Sequence, residues 1–296
     1  MSETLESLRV KRERAHDLAS VVGTMKALAA SSIGQYESAV HSLEDYFRTV
    51  ELGLVACFKG NGRLSIEPYT TDSGKVGAVV FGSDQGLVGR FNLSLSEDVA
   101  RSLGEVPGET EVWAVGERIA GNLLDEGVNV VKVFSVPNSV QGIAPLVSEI
   151  LVQGLARTVE EKHSQVLSFH NQATEFGRYQ SKVRHLLPLD TRWIRQFAAQ
   201  DWPTRLPPEV VGGSASLLPK LVREYLFVSL YRACAESLMS ENRTRLNSMQ
   251  RAEKNIEERL EQLTSDFHRL RQSAIDNELF DLIAGYEALH RKKRRE

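Results

Sequence analysis

Apolar and small side chains recur at steps of three or four residues through the N-terminal part of the chain. They are Val22, Met25, Ala29, Ile33, Tyr36, Val40, Leu43, Phe47, Val50, Leu54 and Cys57. The mean step of about 3.5 residues is the period of a coiled coil, in which a narrow apolar seam packs against a second helix. The pattern predicts one helix over residues 2–58, about 85 Å long. Gly60-Asn61-Gly62 is the predicted stop.

A second set of apolar seams occupies the C-terminal part. The downstream seam contains Ile256, Leu260, Leu263, Phe267, Leu270, Ala274, Leu279, Leu282, Tyr286 and Leu289, and the upstream seam contains Leu221, Val228, Tyr231, Ala235 and Leu238. No proline occurs before Pro68 or after Pro219, so no proline interrupts either terminal segment. The pattern predicts a second helix over residues 216–290, about 110 Å long.

Two seams that are each too narrow for a globular core are best buried against one another. Because a globular segment joins them, the two helices should run antiparallel. The predicted fold is an α/β domain flanked by N- and C-terminal helices that form a long antiparallel coiled coil. A bundle of shorter helices is the alternative.

The middle of the chain alternates short apolar runs with helical patterns. Strands are predicted at 76–81, 111–115, 128–133 and 165–169, an edge strand at 181–187, and helices at 93–103, 117–126 and 140–161. Strands that alternate with helices favour a mainly parallel sheet with helices on its faces. The predicted domains are 1–59 and 216–290 for the long helices, 74–190 for the globular domain, 191–215 for a connector and 291–296 for a basic tail.

A glycine-rich turn follows the first predicted strand. It reads Gly82-Ser83-Asp84-Gln85-Gly86-Leu87-Val88-Gly89. Turns between a strand and a helix are common sites for phosphate groups, but this spacing fits neither the dinucleotide fingerprint nor the phosphate-binding loop. We expect Gly82, Asp84, Gly86 and Gly89 to form a tight structural turn. An anion cradle is the alternative.

Composition and the remaining polar residues point to no catalytic or metal site. The net charge is −3, and the seven histidines show no metal-ligand spacing. Cys57 and Cys234 lie far apart in the sequence, which favours reduced, buried thiols. Residues 2–17 are mostly polar or charged, so we expect no signal peptide, and no stretch approaches the roughly 18 apolar residues of a membrane span.

Three stretches of the chain carry a resemblance to a known family. Residues 24–31 read Thr-Met-Lys-Ala-Leu-Ala-Ala-Ser, residues 83–89 read Ser-Asp-Gln-Gly-Leu-Val-Gly, and residues 271–279 read Arg-Gln-Ser-Ala-Ile-Asp-Asn-Glu-Leu. In the same order they resemble Ala-Met-Lys-Met-Val-Ala-Ala, Ser-Asp-Arg-Gly-Leu-Cys-Gly and Arg-Gln-Ala-Ser-Ile-Thr-Gln-Glu-Leu of the gamma subunit of rotary F-type ATP synthases. The likeness extends over essentially the whole chain.

This resemblance implies a non-catalytic rotor subunit. Its two terminal helices would form an antiparallel coiled coil beside a Rossmann-like domain that binds no nucleotide. As part of the central stalk it would couple ion flow through the membrane ring to ATP synthesis or hydrolysis. The implied partners are the alpha and beta subunits of the catalytic hexamer, the epsilon subunit and the membrane c-ring, with no cofactor, no nucleic acid and no direct membrane insertion. The implied location is peripheral, on the cytoplasmic face of the inner (plasma) membrane.

Four residues match the family's subunit contacts. Met25 and Lys26 match the contact with the acidic lever loop of the beta subunit. Arg271 and Gln272 match a polar pair on the C-terminal helix that hydrogen-bonds the surrounding subunits. The resemblance therefore implies that these four side chains face partner subunits.

Departures from the family pattern leave alternatives open. Gln85 and Val88 stand where the family usually has arginine and cysteine, which indicates a divergent branch, with a sodium-translocating enzyme as one candidate. The basic tail at 291–296 is interpreted either as an arm that meets acidic surface at the mouth of the hexamer or as a solvated end. Two other functions are a phosphate- or nucleotide-binding enzyme that uses the turn at 82–89 and a coiled-coil nucleic-acid binder. The near-neutral charge disfavours the second of these.

Overall fold

The computed structural model describes residues 4–60, 74–155, 165–174, 179–187, 202 and 214–293. The chain divides into two compact units. The terminal unit combines Met1–Leu28 with Asn247–Glu296, and the central unit is Ala29–Leu246. Most of the predicted connector at 191–215, and residues 294–296 of the basic tail, lie outside the described residues.

The described residues form five α-helices and five strands. In chain order they are α1 (Leu5–Gly60), β1 (Lys75–Phe81), α2 (Phe91–Gly104), β2 (Glu109–Val115), α3 (Glu117–Asp125), β3 (Val130–Phe134), α4 (Ile143–Ile150), β4 (Gln165–Ala173), β5 (Tyr179–Leu187) and α5 (Ser214–Lys293). The long terminal helices of the predicted fold are thus confirmed. The rest of the predicted stop after α1, Asn61-Gly62, lies outside the described residues.

Helix α5 begins five residues before Pro219. The proline ring removes only one backbone hydrogen bond, the bond to the carbonyl of residue 215, near the start of the helix.

The two long helices contact each other in the central unit. The Tyr46 hydroxyl donates to Glu224 Oε2 at 2.8 Å, and Arg243 lies 3.5 Å from Glu37. The residue numbers rise along α1 as they fall along α5, so the two helices are antiparallel within this unit.

The five strands form one sheet in the order β3-β2-β1-β4-β5. All neighbours are parallel except β4 and β5, which pair antiparallel. The mainly parallel sheet is therefore confirmed, and the edge strand predicted at 181–187 is the antiparallel β5. In the central strand β1 every residue from Val76 to Phe81 is buried, as expected for a parallel strand covered on both faces.

Two apolar clusters cover the two faces of the sheet. On one face Val76, Ala78 and Val80 pack with side chains of α2 and α3 such as Leu95 and Ile119. On the other face lie α4, the part of α5 between Leu226 and Leu238, and Tyr36 of α1; they pack on Val79, Phe81, Trp113, Val115 and Phe134. This second cluster attaches both long helices to the sheet.

The third strand begins later than the pattern predicts. Val128 was expected to open it, but its N–H donates to the Leu123 carbonyl at 2.9 Å, while the N–H of Gly127 donates to the Leu124 carbonyl at 3.0 Å. Gly127 has a φ of +75°. These two bonds and the left-handed glycine make a Schellman cap, so Val128 closes α3 and the strand starts at Val130.

The helix predicted at 140–161 is shorter and irregular. A 3-10 turn at Val140–Gly142 precedes α4, and a π-helical turn at Leu151–Leu155 follows it. Pro145 is the third residue of α4, a first-turn position where its missing N–H costs no helical bond. Residues 156–164 lie outside the described residues.

In the terminal unit α1 and α5 also pack antiparallel. Val22 is buried with Met249 and Ile256, and the Arg12 guanidinium lies 5.1 Å from the centre of the Phe267 ring. Helix α1 begins at Leu5, seven residues before Arg12. Because the helices are antiparallel, the part of α5 that α1 covers ends about seven residues after Phe267, near residue 274.

Beyond residue 274 the predicted seam is not buried. Leu279, Leu282 and Tyr286 are 54%, 73% and 65% exposed, which corrects the prediction that they continue the packed seam. The physical reason is that α1 starts too late to cover them. The side chain of Leu289 is outside the described part of the chain. Among the described residues, no helix combines the length and the apolar content that a membrane span requires.

Candidate functional site

Buried polar side chains hold the turn between β1 and α2. The Ser83 N–H donates to Asn92 Oδ1 at 3.1 Å, and Asn92 Nδ2 donates to Ser83 Oγ at 2.8 Å. Asn171 of β4 donates its Nδ2 to the Phe91 carbonyl at 2.9 Å. The turn is thus fixed to the start of α2 and to the neighbouring strand.

Asp84 ties together three loops at the carboxyl edge of the sheet. Its Oδ1 accepts the N–H of Glu117, the first residue of α3, at 2.9 Å, and its Oδ2 accepts the N–H of Val136 at 3.0 Å. A carboxylate is stabilised at a helix N-terminus by the free N–H groups and the helix dipole. A bound phosphate would use the same groups. The geometry therefore favours a structural turn over an anion cradle.

The three glycines predicted for this turn differ in how strongly the fold requires glycine at each position. A Cβ added to Gly82 would lie 2.3 Å from the Cβ of Ile119, so α3 packs directly against the backbone here. Gly89 has a φ of +59°, where a side chain is strained. Gly86 is exposed, has no positive φ and has no neighbour within 4 Å of an added Cβ. The packing within the central unit does not require glycine at that position.

Replacing Asp84 tests whether its two hydrogen bonds stabilise the central unit. We expect Asp84→Ala to lower the free energy of unfolding by about 1–3 kcal/mol, because the N–H groups of Glu117 and Val136 lose their acceptor. Asp84→Asn keeps one acceptor oxygen and should lose about half as much. Urea unfolding of the full chain measures both. Equal stability of all three proteins would contradict this role.

The four predicted contact residues all lie in the terminal unit, but the structure does not bring them together. Met25 is half-buried against the cluster of Val22 and Ile256, whereas Arg271 and Gln272 are exposed on α5. Arg271 lies one turn beyond Phe267, whose ring meets Arg12. The two groups are therefore about 25 Å apart along the helices. That these residues contact partner subunits stays a prediction.

Lys26 is already paired within the chain. Its Nζ lies 2.6 Å from both Oε1 and Oε2 of Glu253 on α5. The side chains are 35% and 33% exposed, so this pair is largely shielded from water. Glu253 gave no signal in the sequence, because the residues around it have the charge pattern of a solvated helix face.

A buried ionic network joins α5 to the sheet. Glu236 of α5 is almost fully buried, and its Oε2 lies 2.8 Å from Nε2 of His170 on β4. Its Oε1 accepts a hydrogen bond from Nε of Arg232 at 2.7 Å, and Arg184 of β5 lies 3.8 Å away. The next residue of α5 after Glu236 is Ser237, whose hydroxyl donates to the Phe81 carbonyl at 2.9 Å. These contacts fix the orientation of α5 on the sheet.

The charges of this network follow from its surroundings. Burial would raise the pKa of Glu236, but the hydrogen bonds from His170 and Arg232 outweigh it and hold that pKa at about 2. Burial lowers the pKa of His170 despite its bond to Glu236. Near neutral pH the network therefore contains an ionised glutamate and a neutral histidine that donates from Nε2. Only the spacing of Arg232 and Glu236, four residues apart on a helix, gave a sequence signal.

The remaining groups offer no further chemistry in the described residues. Cys57 and Cys234 are free and buried, as predicted, and burial raises the pKa of both thiols. Thiols of this kind are poor nucleophiles. Among the described residues no cluster of His, Cys, Asp or Glu could hold a metal ion.

Solved structures share this fold. A chain of the Euglena gracilis mitochondrial ATP synthase, from a structure of its OSCP/F1/c-ring in rotational state 3, aligns with a TM-score of 0.64 and 14% identity over 98% of this chain and 95% of its own. A chain from the central stalk/c-ring of the Tetrahymena thermophila mitochondrial ATP synthase aligns with a TM-score of 0.56 and 20% identity over 78% of this chain and 99% of its own. At these identities the likeness establishes the fold.

Sequence comparison establishes the family. The ATP synthase gamma chain of Nautilia profundicola is 23% identical over 97% of this chain and 99% of its own length. The ATP synthase gamma chain of Moorella thermoacetica is 27% identical over 91% of this chain and 93% of its own length. The family profile described as ATP synthase matches residues 4–289. With the long terminal helices and the mainly parallel sheet between them, this match shows that the chain belongs to the gamma-chain family of ATP synthases.

Proposed function

We propose that this chain is the central-stalk rotor subunit of an F-type ATP synthase. It couples ion flow through the membrane c-ring to ATP synthesis or hydrolysis on a hexamer of alpha and beta subunits. The chain makes and breaks no bonds itself, because the catalytic residues belong to the beta subunits. Its role is to favour different beta-subunit conformations at different rotor angles, which is a difference in binding free energy.

The observation that carries this proposal is the exposed apolar surface near the end of α5. Six large apolar side chains between residues 275 and 286 are 47–73% exposed: Ile275, Leu279, Phe280, Leu282, Ile283 and Tyr286. At about 100° per residue they cover an arc of roughly 160°, interrupted by Asp276. An exposed apolar surface of this size marks a protein interaction site. Partner subunits that pack against this side of the helix would bury the apolar surface.

A second exposed stripe lies on α1 of the terminal unit. Leu18, Val21 and Leu28 are 53%, 55% and 64% exposed, at the three- and seven-residue spacing of one helix side. We assign this stripe, with Met25, to contacts with the alpha and beta subunits. Arg271 and Gln272 supply exposed hydrogen-bond donors on α5 for the same subunits.

The central unit is assigned to the epsilon subunit and the c-ring, and the complex to the cytoplasmic face of the membrane. Family membership and the match to central-stalk structures support this assignment.

The rival hypothesis of a nucleotide-binding enzyme is less favourable, because Asp84 already accepts the N–H groups of Glu117 and Val136 that a phosphate would use. The basic tail keeps its two interpretations, an arm at the mouth of the hexamer or a solvated end.

Co-expression with the alpha and beta subunits of the same organism tests the function. We expect the full chain to co-purify with both and the complex to hydrolyse ATP. The double variant Leu279→Asp and Leu282→Asp should reduce recovery of the chain in the complex at least about tenfold, since each buried leucine contributes roughly 1.5–3 kcal/mol.

A matched variant shows whether the apolar arc itself is responsible. Asn277→Asp combined with Gly285→Asp adds the same two charges outside the arc, and an added side chain at Gly285 meets no neighbour within 4 Å. This variant should assemble nearly as well as the parent chain. The proposed function would be wrong if the parent chain neither bound alpha and beta subunits nor altered their ATPase activity.

A further inference from the structure

The ion pair between Lys26 and Glu253 differs from three other ion pairs of the terminal unit. It joins α1 to α5, and about two thirds of each side chain is shielded from water. The pairs Arg9–Glu13, Lys254–Glu258 and Arg269–Asp266 each join two residues of one helix, with one side chain at least 61% exposed. Exposed pairs within a helix contribute little. A shielded pair across two helices constrains how the helices sit on each other.

Large and small side chains are mixed in the packing around this pair. Ala19 of α1 and Ala252 of α5 lie in the same cluster as the larger Val22, Met249 and Ile256. The alanines interlock less deeply than the larger side chains, so the apolar packing alone defines the register less sharply than a seam of large side chains would. A charged pair at one level then selects a register, because a slip by one turn of about 5.4 Å separates the two charges.

We propose that Lys26 and Glu253 form an interhelical lock that sets the register and rotation of α1 against α5. Lys26 lies one turn after Val22, on the side of α1 that faces α5. Held in this way, α1 keeps Leu18, Val21 and Leu28 exposed, where partner subunits can contact them. The lock thus positions the exposed stripe of the proposed rotor. In this role Lys26 acts through Glu253 and not as a free cation for an acidic loop of a partner.

Charge reversal in the isolated full-length chain tests the lock. We expect Lys26→Glu and Glu253→Lys, each alone, to speed amide hydrogen exchange in residues 18–28 and 247–258 by about tenfold. The double variant K26E/E253K restores an ion pair of opposite direction. Its exchange should return to within about twofold of the parent chain. Exchange as fast in the double variant as in the single variants would overturn the lock.

The neighbouring pair Lys254–Glu258 supplies the control. Lys254 is one residue from Glu253 and 77% exposed, and its partner lies on the same helix. Lys254→Glu, which makes the same change of charge, should leave exchange in residues 18–28 unchanged. A similar acceleration of exchange in the Lys254→Glu variant would show that the change in net charge causes the effect, and it would also overturn the lock.

Assembly with the alpha and beta subunits separates the lock from the proposed function, on which its biological role rests. If Lys26 acts by positioning, K26E/E253K should assemble and couple ATP hydrolysis to rotation like the parent chain, and K26E alone should be impaired. If a partner needs a cation at position 26, the double variant stays as impaired as K26E, which would overturn the positioning role. The hydrogen-exchange experiment uses the isolated chain without partners. Its result can therefore be interpreted even if the proposed function is wrong.

Discussion

Replacing Glu236 by alanine should lower the free energy of unfolding of the central unit by about 3–5 kcal/mol. The side chain is only 3% exposed, and it is the counter-charge of Arg232 and Arg184 as well as the hydrogen-bond partner of His170. Removing one partner of a buried ionic network leaves the others desolvated without compensation. Urea unfolding of the full chain, followed by far-UV circular dichroism, measures the loss as a lower midpoint at unchanged slope.

Two further variants separate this network from general effects on α5. Glu236→Gln keeps the shape of the side chain but not its charge, and should show a smaller loss than Glu236→Ala. Glu258→Ala removes a glutamate that is 60% exposed in its pair with Lys254, and should change stability by less than about 0.5 kcal/mol. A loss at Glu236 no larger than at Glu258 would show that the buried network contributes little.

The pH dependence of stability has a definite sign. The pKa of Glu236 is about 2 in the folded chain, below the value of about 4.3 for an unperturbed glutamate. A carboxyl group whose pKa is lower when folded stabilises the fold above the unperturbed value, and that contribution is lost as the pH falls toward 2. The difference in stability between the parent chain and Glu236→Gln should therefore shrink between about pH 5 and pH 2.

The long helices and the sheet could be predicted because their signals are local. The seam from Val22 to Cys57 repeats at the coiled-coil period, and the structure buries or half-buries every one of its members. Strand β1 is a continuous apolar run next to a glycine turn. Periodicity of this kind reports which side of an element is buried, so it also indicates that two such elements must meet.

Partners distant in sequence could not be predicted in the same way. Glu236 and His170 are 66 residues apart, and Lys26 and Glu253 are 227 residues apart. Their pairing depends on the register of whole elements, which no local pattern specifies. The same reason explains the error at Leu279 and Leu282, because the periodic seam continues past the point where its partner helix ends. Gly116 was also missed, although an added Cβ there would lie 2.7 Å from the Ser83 carbonyl.

Replacing Gly82 by alanine should have the second large effect. The new Cβ would lie 2.3 Å from Cβ and 2.5 Å from Cγ2 of Ile119. Ile119 is fully buried in the core between α3 and the sheet, so α3 must move away from the end of β1. We expect a loss of about 3 kcal/mol, the upper part of the range for overpacking a tight core. Thermal unfolding of the full chain should show a lower midpoint by about 4–8 °C or more.

Alanine at Gly86 is the matched control within the same turn. The site is exposed and open, and its φ is not positive, so Gly86→Ala should be neutral or should raise stability by up to about 1 kcal/mol by restricting the unfolded chain. Opposite signs at two glycines four residues apart would show that packing against α3, and not the glycine-rich composition, gives the turn its rigidity. If Gly86→Ala were instead as harmful as Gly82→Ala, the assigned backbone geometry of the turn would be wrong. Any loss of binding to the epsilon subunit or the c-ring in a stable Gly86→Ala protein would arise at the interface, because the chain's own packing does not need that glycine.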